Sequence, residues 1–121
     1  MDDSIRTTLE DDGTVTVMVS GEIDYANADD VAEGIRDAIR GWSPPTVYVD
    51  LRGASFIDST GLGALIEGYR AAAASNIRYV VLNPSSTFRR VLTVTGLIGF
   101  FGITESEEPA AGSATPQATG V

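Results

Sequence analysis

Residues 46–68 read TVYVDLRGASFIDSTGLGALIEG, and the change of period inside this run decides the fold. Thr46 to Leu51 is short, β-branched and nearly all apolar, the pattern of a central strand buried on both faces. Further on, Leu62, Leu65, Ile66, Tyr69, Ala72 and Ala73 recur at helical spacing. Between strand and helix lies Asp58-Ser59-Thr60-Gly61: a carboxylate, two hydroxyls and a flexible residue at an exposed turn. A strand that hands over to a helix this abruptly belongs to a β-α-β unit.

The flanking sequence extends the pattern in both directions. Ile5 to Leu9 and Val15 to Val19 read as two strands joined by EDDG, whose Asp-Gly step suits a hairpin turn. Gly21-Glu22-Ile23-Asp24 then leads into a helix with Asn27 as its N-cap and Asp29 and Asp30 in the first turn. Its apolar stripe is Ala28, Val31, Ala32, Ile35, Ala38 and Ile39, and Pro44-Pro45 ends it. Downstream, Ile77 to Leu82 is a second buried strand. Asn83-Pro84-Ser85-Ser86 opens a third helix carrying Phe88, Val91 and Leu92, closed by Gly96, and Phe100 to Thr104 reads as a last short strand. The fold class expected is α/β: one small domain with a mixed sheet of about four to five strands, an N-terminal hairpin and three to four helices. It should span residues 1–104. Residues 105–121, ESEEPAAGSATPQATGV, carry too little apolar surface to offset their ordering entropy and are expected to be disordered. In such sheets functional loops gather at the C-terminal ends of the parallel strands. FIDSTG falls there, and GEID reaches the same edge.

Composition narrows the chemistry. The 121 residues include no His, no Cys and no Lys, which removes Ser-His-Asp and Cys-His catalysis, Schiff-base chemistry and nearly all zinc, haem and iron–sulfur sites. Only carboxylate acid–base chemistry or an oxygen-liganded hard cation remains as an intrinsic mechanism, so an enzyme is not expected. The net charge of −9 disfavours nucleic acid and anionic membranes as partners. Residues 1–40 hold 11 acids against 3 Arg, whereas residues 41–104 hold 3 acids against 5 Arg, so the surface is electrically lopsided. Neither an apolar leader after MDDSIR nor an apolar run of membrane-spanning length is present, so a cytoplasmic location is expected.

Four readings of DSTG compete. Asp58 or Ser59 serves as the N-cap of the following helix. An aspartic-protease carboxylate wants Gly61 one residue earlier. A dinucleotide cradle finds Gly61 and Gly63 but meets Ile66 at its third glycine, and no Lys is available for a phosphate loop. The fourth reading is a hydroxyl that accepts a phosphoryl group, adding roughly −1.5 to −2 charges at one surface spot beside Asp58.

Four segments, GEID (21–24), YVDLRGASFIDSTGLGALI (48–66), RYVVLNPSSTFRRVLTVTGL (78–97) and FGI (101–103), together resemble the STAS-domain anti-sigma factor antagonists of bacterial partner switching. The resemblance implies that Ser59 is the serine phosphorylated by a cognate anti-sigma factor that is itself a serine kinase. It also implies that a PP2C-type phosphatase removes the phosphate, and that the unphosphorylated form captures the anti-sigma factor and frees the sigma factor. Nucleotide and divalent cation would then belong to those partner enzymes, so the resemblance implies that this chain needs no cofactor or metal of its own. By the same resemblance Asp24 is the acid of the GEID motif near that serine, and Asp58, Ser59, Thr60, Gly61 and Gly63 complete the partner-binding set. Such proteins commonly end in a further amphipathic helix. Here ESEE runs into Pro109 without an apolar stripe, so that helix is expected to be absent or cut to a turn. Two alternatives stay open: a STAS scaffold or regulatory module without phosphoryl switching, and a small-ligand or nucleotide carrier.

Overall fold

A computed structural model describes residues 4–102, so residues 105–121 and their expected disorder lie outside the described residues. Strands β1 (Ile5–Leu9) and β2 (Val15–Ile23) form the antiparallel hairpin, with Ile5 opposite Val19 and Leu9 opposite Val15. The chain continues through α1 (Ala28–Trp42), β3 (Thr46–Ile57), α2 (Ser59–Ala74), β4 (Arg78–Leu82) and α3 (Ser86–Thr95). The sheet order is β1-β2-β3-β4, with β2, β3 and β4 parallel. This is the mixed α/β sheet expected.

Successive right-handed crossovers that step the same way across a sheet place their helices on one face. Accordingly α1 and α2 pack against each other over Val15, Val17, Val19, Val47, Val49 and Leu51, all buried. The opposite face stays more open: Tyr48 and Asp50 are half-buried and Met18 is exposed. β3 is therefore buried on one face only, not on both as its apolar run suggested.

Three further expectations are corrected. First, β3 does not stop at Leu51. It pairs with β4 over Thr46–Asp50 and then runs on beside β2 to Ile57, with irregular register after Met18 and after Gly21. RGASFI is strand, and a single residue, Asp58, links it to α2. Second, the buried face of α2 is Gly61, Ala64, Leu65, Gly68 and Ala72; Ala73 is exposed, and Leu62, Ile66 and Tyr69 are half-buried. Leu62, Ile66 and Tyr69 still pack at the core's margin, but Gly61 and Gly68 join the buried face because this helix approaches its neighbours closely. A Cβ on Gly68 would lie 2.7 Å from the Tyr79 hydroxyl and 2.9 Å from Ile35 Cγ2. That hydroxyl donates to Leu65 O at 2.8 Å, and burial pushes the phenol pKa up. Third, Phe100–Gly102 is a turn rather than a strand, bent by left-handed Gly96 and Gly102. It still plugs the core with Phe101, and Phe101 O accepts from Val81 N at 2.8 Å. Residues 103 and 104 of that expected strand lie outside the described residues.

α3 begins as expected, with the Ser85 hydroxyl accepting from Phe88 N at 3.0 Å, and ends at Gly96. It meets the core along the narrow Phe88–Leu92 line, which leaves Val91 exposed rather than buried.

Candidate functional site

The paired ends of β2 and β3 build the site. Ile23 sits opposite Ile57, and Asp58 N donates to Ile23 O at 3.1 Å, so the two chains leave the sheet side by side as Asp24 and Asp58. The two acidic motifs, far apart in sequence, thus share one edge. Asp24 is half-buried and organises its own loop: Oδ1 accepts from Ala26 N (3.0 Å), and its carbonyl accepts from Ala28 N (2.8 Å). Asn27 does not cap α1 with its side chain. It turns back instead, Oδ1 accepting from Asp24 N (2.9 Å) and Nδ2 donating to Glu22 O (2.8 Å). The polar side chain finds backbone partners in the GEID strand end nearer than the helix amides.

On the β3 side, Asp58 is the N-cap. Its Oδ1 accepts from Gly61 N at 2.9 Å and from the Thr60 hydroxyl at 2.5 Å. These bonds, the Thr60 hydroxyl first and the Gly61 amide next, hold the Asp58 carboxyl below the usual carboxylate range. The cap therefore holds at neutral pH and weakens only as pH falls through that depressed pKa. Thr60→Val should raise the Asp58 pKa toward its ordinary value, read by carbon-detected NMR titration of the carboxyl. An unchanged titration would mean the Thr60 hydroxyl does not bond there in solution.

The two adjacent hydroxyls are now distinguishable. Thr60 is committed to Asp58, whereas Ser59, the first residue of α2, is exposed and its hydroxyl has no hydrogen-bond partner among the described residues. The glycines also separate. Gly61 is buried, and a Cβ there would lie 2.8 Å from Ile57 Cγ2 and 3.0 Å from Ile23 O, so it seats the helix on the strand ends. Gly63 faces open space and, with Thr60, lines a groove between α1 and α2 that also carries Tyr25, Asp29, Arg36 and Glu67. Tyr25 is 82% exposed at its mouth. Arg36 had no signal in the sequence: it stands on the polar side of an amphipathic helix, and only the packing of α1 on α2 turns it toward Thr60. The Gly61 amide is occupied by Asp58, which removes the donor that a phosphate cradle at GLG would use.

Residues 6–110 match the STAS domain model. The chain belongs to the STAS-domain family. This STAS domain is 34% identical over 84 residues to the anti-sigma F factor antagonist of Lysinibacillus sphaericus, covering 69% of this chain and 72% of that one. It is also similar to the crystal structure of an anti-sigma factor antagonist from Mycobacterium paratuberculosis, with 34% identity, a TM-score of 0.66, and 87% and 89% of the two chains covered. The structure of the Bacillus cell fate determinant SpoIIAA in the phosphorylated form matches at 28% identity with a TM-score of 0.66, covering 86% of this chain and 94% of that one. The fold and the grouping with anti-sigma factor antagonists are thereby established. Among its described residues, no helix of this STAS domain is long and apolar enough to cross a membrane.

Proposed function

We propose that this protein is a phosphorylation-switched anti-sigma factor antagonist, acting in the cytoplasm without catalysis of its own. Unphosphorylated, it binds an anti-sigma factor serine kinase and so releases the sigma factor. The kinase transfers the γ-phosphoryl group of ATP to Ser59. The Ser59 Oγ–P bond forms as the bond from phosphorus to the departing ADP oxygen breaks, and the hydroxyl proton passes to a base on the kinase. A PP2C-type phosphatase hydrolyses the ester and restores the hydroxyl. Metal ion and nucleotide belong to those partner enzymes.

The observation that carries this reading is the unbonded, exposed Ser59 hydroxyl beside a Thr60 hydroxyl already spent on Asp58. The relative solved in a phosphorylated form supports it. Phosphate at this position would be favoured by the α2 N-terminus and opposed by Asp58 and Asp24, so it should change the surface potential and leave the core intact. Ser59, Thr60, Asp58 and Asp24 form the recognised edge, Gly63 lets the partner approach α2, and Gly61 holds the turn in place from beneath. Incubation with the partner kinase and ATP, followed by mass-spectrometric mapping, should place one phosphate on Ser59 and none in Ser59→Ala. Phosphate at another residue, undiminished in Ser59→Ala, would overturn the assignment.

A further inference from the structure

The hydrogen bonds at the two ends of the hairpin set its phase. Ser20 N donates to Ser4 O at 2.9 Å, and Glu10 N donates to Thr14 O at 2.8 Å. Bonded pairs recur at every second residue of an antiparallel ladder. Arg6 with Met18 and Thr8 with Thr16 are therefore the bonded pairs within β1 and β2. Ile5, Thr7 and Leu9 consequently turn their N–H and C=O groups away from β2, and β1 is the outer strand among the described residues. Edge strands of this kind template the addition of another strand unless Pro, charged side chains or a bulge blunts them. IRTTL has no Pro and keeps an unbroken register, and its one charge, Arg6, alternates with Ile5 and Thr7 and so stands on the face away from α1. At the opposite edge, by contrast, Phe101 already occupies Val81 N.

A groove of about 460 Å³ runs beside this edge, lined by Thr7, Gly34, Asp37, Ala38, Gly41 and Trp42. Gly34 lets α1 lie against Ile5, since a Cβ would come within 3.2 Å of Ile5 Cγ2. Gly41 faces open space at an ordinary φ, so the fold itself does not require glycine there. Trp42 (46%) and Leu9 (50%) remain exposed around the groove. Asp30, Glu33 and Asp37 follow one another along the exposed side of α1, and Glu10, Asp11 and Asp12 are exposed at the hairpin end. Arg40 pairs with Asp37, but both side chains are exposed and such a pair holds weakly.

We propose that the β1 edge and this groove form a second docking surface, which takes a basic, extended segment of a partner protein by strand addition. The outward groups of Ile5, Thr7 and Leu9 supply the main-chain bonds. Alternate side chains of the added strand enter the groove, where the Trp42 ring covers apolar ones and the acidic rim attracts Arg or Lys. A second copy of this chain fits poorly, because it would bring two acidic rims together on molecules of net charge −9. The surface lies on the β1 flank of α1, while Thr60 and Gly63 line the groove on its α2 flank. Docking here is thus separate from the Ser59 switch and leaves that edge free to react.

The test is an NMR titration of the isotope-labelled full chain with an acetylated, amidated peptide of alternating Arg and Val. Amide shifts should centre on Ile5, Thr7, Leu9, Gly41 and Trp42. N-methylating the peptide's bonding amides should weaken binding about tenfold, as one to two lost main-chain bonds imply. Asp37→Asn should weaken it about threefold, and the corresponding Glu-Val peptide should not bind. No shifts, shifts centred on the Ser59 edge, indifference to N-methylation or equal binding of the acidic peptide would each overturn the proposal. So would a concentration-dependent dimer, seen by sedimentation and abolished by Thr7→Pro, since the edge would then serve a second copy.

Discussion

Ser59→Asp should bind the anti-sigma factor about a hundredfold more weakly than the wild type, with an unchanged melting temperature. The binding loss follows from where the charge is placed. The new carboxylate would sit at the head of α2 beside Asp58, whose own carboxyl is kept ionised by the Thr60 hydroxyl and the Gly61 amide. Asp24 leaves the sheet one strand away. A partner that closes over this edge must desolvate a third like charge, an effect of about 2–5 kcal/mol for a contact that loses its complement. Stability should not change, because Ser59 is exposed and its hydroxyl bonds none of the described residues. An acid in the first turn of a helix is, if anything, mildly favoured. Isothermal titration calorimetry against the kinase partner, paired with a thermal melt, checks both halves. Equal affinity of the two forms would end the charge-switch mechanism, and a large fall in melting temperature would make Ser59 a structural residue.

Gly68→Ala should destabilise the fold by about 2 kcal/mol, despite alanine being the better helix former by about 1 kcal/mol. The added Cβ meets the Tyr79 hydroxyl at 2.7 Å and the Ile35 side chain at 2.9 and 3.0 Å. Neither neighbour can move cheaply: Ile35 is fully buried, and the Tyr79 hydroxyl is buried and tied to Leu65 O. Displacing that ring would leave a buried phenol without its acceptor. The melting temperature should drop by about 10 °C for a domain of this size. Gly63→Ala in the same helix is the matched comparison, since no atom of the described residues lies within 4 Å of its Cβ. It should raise stability slightly and weaken partner binding, the reverse of a packing glycine. Urea midpoints of the two variants test the contrast, and destabilisation by both would refute the distinction.

Much of this is legible in the sequence alone. The hairpin, the three helices and the two parallel strands that follow α1 and α2 can be read from period changes, from Pro44-Pro45 and from the glycine at 96. The strand that turns directly into a helix offers Asp58 or Ser59 as its cap, and the family resemblance, not the turn, singles out Ser59 as the candidate acceptor. The misreadings share one cause. β3 looked buried on both faces because apolar content reports burial without reporting which layers cover it. In α2 the expected stripe does pack, with Leu65 and Ala72 buried and Leu62, Ile66 and Tyr69 at the core's margin, but Gly61 and Gly68 were missed, because a hydrophobicity pattern counts side-chain bulk and cannot register a contact made by having none. Asn27 was placed as a cap by type, yet its amide found closer partners at Glu22 and Asp24.

By itself the sequence determined the order of elements, the absence of His, Cys and Lys that leaves little catalytic chemistry to the chain, and the hydroxyl-bearing turn after the third strand. Those are properties of local period and side-chain chemistry, which need no neighbours. Only the tertiary structure decided which hydroxyl is free, which glycine seats a helix and which stands open, and that Asp24 and Asp58 leave the sheet together. Each of these depends on atoms brought close from distant parts of the chain: Ile23 on Ile57, Thr60 on Asp58, and Gly68 on Tyr79. Spacing in sequence carries no record of such distances, so pairing and packing had to supply them.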